Sequence, residues 1–291
     1  MSSLETVYSK IHDLLNEIEV QEYFLNQRRK PKLSDKALIA LCLAADTLGI
    51  DSERFLFKQL PEPLEGLVER SVYNRRLRRL GSKIESIRQA VIERLAPQPS
   101  LYVVDSMPLE VCKLSRAKRN KSCQGNEDTD PDYGYCAAQG VRYFGFKLHA
   151  VCTPERLIKM FDISKASVHD IHYLHDVQGR LTNCILLGDK GYLSQQWQAD
   201  LFESNAIKLE TPMRKNQKNF KIFPSVFSRA RKRIETLFSQ LCDQFMVRRN
   251  YAKTFTGFAR RLTSKITALT FIQWDNVQNG NKMNNIKIVL S

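Results

Sequence analysis

Apolar residues recur at spacings of three and four through the first hundred residues, then give way to alternation and short apolar runs after Pro99. That change of period predicts a helical region followed by a mixed α/β region. Val7, Ile11, Leu14, Leu15 and Ile18 form one amphipathic stripe. Ser34 is placed to cap a helix from Asp35 to about Leu48 that stops at Gly49. Asp51 opens a shorter helix, ended by Pro61 and Pro63. Ser71 opens a long one to Leu95, bent or interrupted near Gly81. Arg28 to Lys32 reads as a basic linker, and Pro97 and Pro99 mark a boundary.

Beyond that boundary, Leu101 to Val104 is a short buried run ending at Asp105. Residues 113–135 have no period, a basic first half and an acidic second half, and read as an exposed insertion. Val141 to Val151 alternates like a strand, and Arg156 to Ile163 is its partner after a turn. A helix over His169 to Arg180, a strand over Cys184 to Leu187, a helix over Ser194 to Ser204 and a strand over Ile207 to Glu210 follow. A long helix runs from near Phe227 to about Val247. The order predicts a mixed five-stranded sheet with helices on both faces. The expected domains are 1–97 (all-α), 98–250 (α/β) and 251–291 (a basic C-terminal extension).

Charge narrows the field of partners. Lys plus Arg is 45 and Asp plus Glu is 31, a net of +14. Such a field favours an anionic partner, most commonly nucleic acid. No membrane association is expected: the longest apolar stretch, Leu38 to Ile50, is broken by Asp46 and is too short to span. No basic region followed by an apolar core opens the chain, so no secretory signal is expected. The seven cysteines are scattered without C-x-x-C and fit reduced thiols.

The charge is also uneven. Between Met213 and Lys265 there are fourteen basic residues against two acids, Glu235 and Asp243. Within this segment Arg248, Arg249, Arg260 and Arg261 are candidates for gripping phosphates. The helix after Ser71 is Arg-rich, and two helices followed by an Arg-rich helix resemble a helix-turn-helix, with Arg75, Arg76 and Arg79 as base readers. The alternative is a helical bundle with a solvated basic face.

The acids carry the chemistry. Asp105 and Asp189 each follow an apolar strand. Ionised carboxylates seldom sit there without a partner, and ligands bind at strand ends of such sheets. A plain turn-capping Asp is the alternative for either alone. Glu235 borders the apolar stripe Ile234, Leu237, Phe238, Leu241 and Phe245, with Arg231 one turn earlier on the same side. An exposed Arg231–Glu235 pair is the alternative there. Three converging carboxylates suit two hard cations, Mg²⁺ or Mn²⁺, acting on a phosphodiester. Lys147 and His149 share a strand face and are possible near-site residues, a buried hydrogen-bonded His being the alternative. Lys190 and Gly191 form the turn after Asp189, suited to a phosphate. His169, His172 and His175 lack a cysteine or carboxylate to complete a zinc set, and Asp170 reads as a helix cap.

Four segments together resemble the DDE transposases of bacterial insertion sequences: Y-V-V-D-S at 102–106, Y-F-G-F-K-L-H at 143–149, L-L-G-D-K-G-Y at 186–192 and R-K-R-I-E-T-L-F at 231–238. The resemblance covers roughly Leu101 to Phe245. It implies a ribonuclease-H-like catalytic core and catalysis by two Mg²⁺ or Mn²⁺ ions. It also implies an acidic triad of Asp105, Asp189 and Glu235, and Arg231 at the transposon end. Related enzymes often carry a Tyr three residues before that Arg and a Lys seven after the Glu; here the positions hold Ser228 and Cys242, so those roles do not transfer. The expected function is binding of terminal inverted repeats, strand cleavage and strand transfer into target DNA. The expected form is a homodimer on double-stranded DNA in the bacterial cytoplasm, associated with the nucleoid. A structure-selective nuclease on the same fold, or a DNA-binding regulator with a vestigial catalytic domain, are the rivals.

Overall fold

The structure, a computed structural model, describes residues 3–26, 29–96, 99–214, 216 and 220–286. Arg28, Pro97, Lys215 and Lys218, part of the linker, boundary and basic segment noted above, lie outside the described residues. In chain order the elements are α1 (Leu4–Glu17), α2 (Asp35–Thr47), α3 (Glu53–Leu56), α4 (Arg70–Arg79), α5 (Gly81–Leu95), β1 (Leu101–Cys112), β2 (Asp132–Cys136), β3 (Val141–Cys152), β4 (Ile158–Lys165), α6 (Leu174–Gln178), β5 (Cys184–Leu187), α7 (Gln195–Asn205), β6 (Ile207–Glu210), α8 (Ser225–Asp243) and α9 (Phe255–Gln278). They fall into two compact units, Met1–Leu95 with Leu241–Ser291, and Ala96–Gln240.

The helical unit follows the apolar stripes closely. Val7, Ile11, Leu14 and Leu15 of α1 are buried, and Ser34 Oγ caps α2 by accepting from Ala37 N at 3.0 Å. Ser52 rather than Asp51 caps α3, accepting from Phe55 N at 3.3 Å. The expected long helix is two, α4 and α5, parted at Leu80. The expected C-terminal extension is different in kind. Helix α9 packs against α5 and α2, and Phe258, Leu262, Ile266, Leu269, Phe271 and Ile272 are core. The reason is local: its apolar residues recur at helical spacing among the basic ones, and the long stems of Arg and Lys share their burial. Residues 1–97 therefore do not complete a core by themselves.

Ion pairs lie inside this unit. Asp35 and Arg76 are both buried. Arg76 Nη2 and Nε donate to Asp35 Oδ1 at 2.6 and 3.2 Å, and Nη1 donates to the Leu33 carbonyl at 2.8 Å. The other carboxylate oxygen, Asp35 Oδ2, accepts from Phe24 N and Leu25 N, both at 2.9 Å. Arg76 thus fixes the segment before α2 against α4 and is not a base reader, contrary to the expectation from charge alone.

In the second unit the strand order is β2-β3-β1-β5-β6, with β4 also paired to β3. Strand β3 runs antiparallel to β1, and its other edge is shared: β2 pairs with Val141–Gly145 and β4 with Phe146–Cys152. Strands β5 and β6 run parallel to β1. All five expected strands are present in the mixed sheet. Strand β2 is an addition inside the segment read as an insertion; its tyrosines Tyr133 and Tyr135 are exposed, so no apolar face announces it. Gly145 marks the irregular pairing near Glu110, where a Cβ would collide with the Leu109 carbonyl. One sheet face, with Tyr102, Val104, Val151 and Leu186, packs on Leu174, Val177, Leu201 and Trp197 of α6 and α7. Ile234 and Leu237 of α8 are buried. No helix among the described residues is long and apolar enough to cross a membrane.

Removing one partner of a buried pair leaves the other charge stranded. Arg76→Ala should lower the unfolding free energy by about 3 kcal/mol in a urea titration, whereas Arg75→Ala, at an exposed position, should stay within about 0.5 kcal/mol. Equal effects of the two would show that Arg76 does not hold the fold.

Candidate active site

Strand β1 does not end at Val104. Buried Met107 and Leu109 continue its period of two, and the ladder to β3 reaches Cys112. What ends near Asp105 is the parallel partner: β5 pairs only with Leu101–Val103, with Val103 opposite Leu187. Asp105 thus sits just past the point where β1 loses its neighbour on one side, while Ala150 of β3 holds it on the other. Asp189 follows two residues after β5 ends and caps a short 3-10 turn, Lys190–Tyr192, by accepting from Gly191 N at 2.8 Å. A side chain at position 191 would lie 2.9 Å from Asp189 Oδ1, and one at 188 would lie 3.0 Å from Tyr192 Cβ, so both glycines of G-D-K-G-Y keep the turn closed over the carboxylate.

Asp105 and Asp189 share one electrostatic neighbourhood. Burial pushes the Asp105 carboxyl up to about 7; the charges of Asp189 and Asp170 also raise it, while the Ser106 N–H and Arg231 act against the rise. The Ser106 N–H donates to Asp105 Oδ1 at 2.8 Å. Arg231 is the nearby cation. Its Nη2 also lies 3.7 Å from Glu235 Oε1, and the Glu235 side chain is 60% exposed. Among the described residues no three His, Cys, Asp or Glu side chains are grouped to hold a metal. The structure therefore brings Asp105 and Asp189 together and leaves Glu235 outside them, paired with Arg231 on the exposed side of α8.

Lys147 and His149 are engaged rather than free. Lys147 Nζ donates to Asp170 Oδ1 and to the Val168 carbonyl, both at 2.8 Å. Asp170 is consequently not the expected cap: His169 caps the 3-10 turn, its Nδ1 accepting from Ile171 N at 3.3 Å. His149 is buried, with Nε2 2.7 Å from Ser164 Oγ and its ring stacked on Tyr173. Burial pushes its pKa down to about 4, so it is neutral near pH 7. Two residues have surroundings that no local pattern announces. Asp170 adds its charge to Asp105, a meeting across 65 residues with no local signal. Tyr192 is fully buried with a hydroxyl that has no partner among the described residues, in the field of Asp170, Asp105 and Asp189.

The remaining cations divide between surface and interior. Arg75, Arg79, Lys190, Arg248 and Arg249 are exposed. Arg260 is buried, with Nη1 3.6 Å from Cys42 Sγ, and Arg261 Nη2 donates to Asp51 Oδ1 at 2.5 Å. Lys265 Nζ joins the same carboxylate at 3.0 Å. Arg260 and Arg261 are thus held within the helical unit and do not stand free on its surface.

A family model for the transposase DDE domain matches residues 96–271, well over half of the chain. The chain belongs to the DDE transposase family. No curated protein matches it in sequence. Two solved structures are similar at 12% identity: a Mos1 transposase paired-end complex with left transposon end, covering 88% of this chain and 89% of that one at a TM-score of 0.24, and a pre-cleavage Mos1 transpososome, covering 97% and 98% at 0.23. Superposition at that level carries no weight; the family match does. DDE transposases act by nucleotidyl transfer and generally use divalent metal ions, and in this one the paired Asp105 and Asp189 are the acids that the fold gathers.

The raised Asp105 pKa has a sign. A carboxyl whose pKa is higher folded than unfolded weakens the fold as pH rises from about 4 to about 7, and by a constant amount above that. In chelator, Asp105→Asn should therefore be about 1–2 kcal/mol more stable than the parent at pH 8 and no more stable at pH 4. Denaturant midpoints at the two pH values measure it, and a pH-independent difference would remove Asp105 from the carboxylate pair.

Proposed function

We propose that this DDE transposase binds the terminal inverted repeats of its own element, cleaves the strands there and joins the freed ends to target DNA. The observation that carries the reading is the Asp105–Asp189 pair: two carboxylates of like charge, held where β5 stops beside β1 in the middle of the sheet, with burial raising the pKa of one of them. Burial alone would favour a protonated, inert Asp105; a hard cation beside it restores the charged form. Oxygen donors of this kind fit Mg²⁺ or Mn²⁺.

Asp105 and Asp189 would hold the ions, and Glu235 is proposed as the third acid of a two-ion set on the strength of the family motif. When bound, such ions stabilise charge on the entering and leaving oxygens of an in-line displacement at phosphorus. The chain's own residues do the rest. Asp189 is kept in place by Gly191 N, and Asp105 by the β1–β3 ladder. Arg231, between Glu235 and Asp105, is placed to meet a phosphate of the transposon end, which would compete with Glu235 for its guanidinium. Exposed Lys190 offers a second positive contact beside Asp189. Hydrolysis and strand joining are both displacements at phosphorus, so one acidic site serves both.

DNA binding is proposed for exposed Arg75 and Arg79 of α4 and for Arg248 and Arg249 beyond α8, on double-stranded transposon ends and target. A homodimer on DNA is proposed because two ends must be joined.

Asp189→Asn removes charge with little change in volume. It should lower cleavage and strand transfer by at least about 10³-fold while end binding stays within a few-fold, assayed on labelled ends with a supercoiled target; the same holds for Asp105→Asn and Glu235→Gln. Mg²⁺ or Mn²⁺ should support the reaction. Full activity in EDTA would sink the metal mechanism. Cleavage without joining would identify a nuclease instead, and binding alone a regulator.

A further inference from the structure

Away from the carboxylate pair, the helical unit contains a cleft of about 450 Å³. Its walls are the turn at Asp51–Arg54, α4, and the start of α9. Arg54, Arg70, Arg78 and Lys253 stand exposed around it. None of these four has a hydrogen-bond or ion-pair partner among the described residues. Arg260 and Arg261 line it too, so six cations face only two carboxylates, Asp51 and Glu53.

Those two carboxylates are already engaged. Asp51 holds Arg261 and Lys265, and Glu53 Oε1 accepts from Asn74 Nδ2 at 2.6 Å. Arg260 is 6% exposed, reaches Glu53 only at 3.9 Å, and its Nε has no partner among the described residues. The first turn of α9, with Thr254 as its cap and Gly257 in the wall, adds the positive end of a long helix. A merely solvated basic face would spread its cations over a convex surface, where repulsion is screened. Here they ring a concavity, around a buried guanidinium whose Nε is left unbonded.

We infer that this cleft is a phosphate-binding site, occupied by backbone phosphodiesters of duplex DNA. The identity of the polyanion rests on the proposed transposase function; the excess of cations in the cleft does not. Small-molecule sites are mostly apolar and enclose their ligand. This cleft is ringed by long cationic side chains and open to solvent, which suits a strand that passes over it. Contacts of this kind position the duplex without reading its sequence.

The test uses the full chain and a random-sequence duplex, with binding followed by fluorescence anisotropy over a range of salt. Removing one side chain that neutralises a phosphate should reduce the slope of log affinity against log salt by about 0.9. The triple variant Arg70→Ala/Arg78→Ala/Lys253→Ala should lose about three slope units and bind at least about tenfold more weakly at 0.1 M salt. Lys58→Ala, exposed but outside the cleft, should lose neither. If the triple variant melts early, Arg78→Gln and Lys253→Gln singly should each lose about one unit. A slope unchanged in the cleft variants overturns the inference. So does competition by inorganic pyrophosphate that the triple variant abolishes while its DNA slope stays intact, since that would make the cleft a small-anion site. Asp189→Asn reports separately: normal cutting by it with a reduced slope in the triple variant would refute the proposed function and keep the cleft.

Discussion

Two carboxylates of like charge, Asp105 and Asp189, are brought together within the sheet unit and held there by backbone. Asp105 is held because β1 remains laddered to β3 on both sides of it and its Oδ1 accepts from Ser106 N. Asp189 is held because its oxygen is tied to the amide two residues on. Flexible side chains would have relaxed the repulsion by separating. Burial, and to a lesser degree the charges of Asp189 and Asp170, then appear as a raised affinity of Asp105 for protons, or for any other cation that reaches the pair. Arg231 supplies only part of the needed charge, and Glu235 draws on the same guanidinium.

The order of strands and helices was legible because burial imposes a period on the sequence. The β5 run is wholly apolar, β6 alternates apolar and charged residues, and α1 shows its stripe without ambiguity. Strand β2 was hidden because it is an edge partner with exposed tyrosines, held by main-chain bonds to β3 that leave no mark in composition. The full length of β1 was hidden by Asp105 itself: an acid after the apolar run Leu101–Val104 reads as an end when it is an interruption of one face. Asp105 and Asp189 were legible as chemistry for the same reason, since a charge is conspicuous inside an apolar pattern. Their neighbour Asp170, and the pairing of Lys147 with it, depend on chain segments that sequence proximity does not connect.

Counting charges located the basic regions without saying which charges are available. Arg76 and Lys265 are buried against Asp35 and Asp51, which offset their charge where they sit. A buried guanidinium and an exposed one are the same letter in the chain. What separates them is a carboxylate elsewhere at the right distance, a fact of packing. The net of +14 is therefore expressed by a smaller set of exposed cations than the composition suggests, and Arg78 and Lys253 belong to it although neither stood out within its run.

The helical unit is made of two stretches of chain separated by the whole sheet unit. On a ribosome, α1 to α5 emerge long before α9, which supplies part of their core, has been translated. The sheet unit is continuous and can close as soon as α8 appears, whereas the helices must wait with an apolar face uncovered. A message truncated between the two stretches would yield a sheet with its carboxylates in place and a helical half that cannot finish folding. In such a product the carboxylate pair would outlast the cleft.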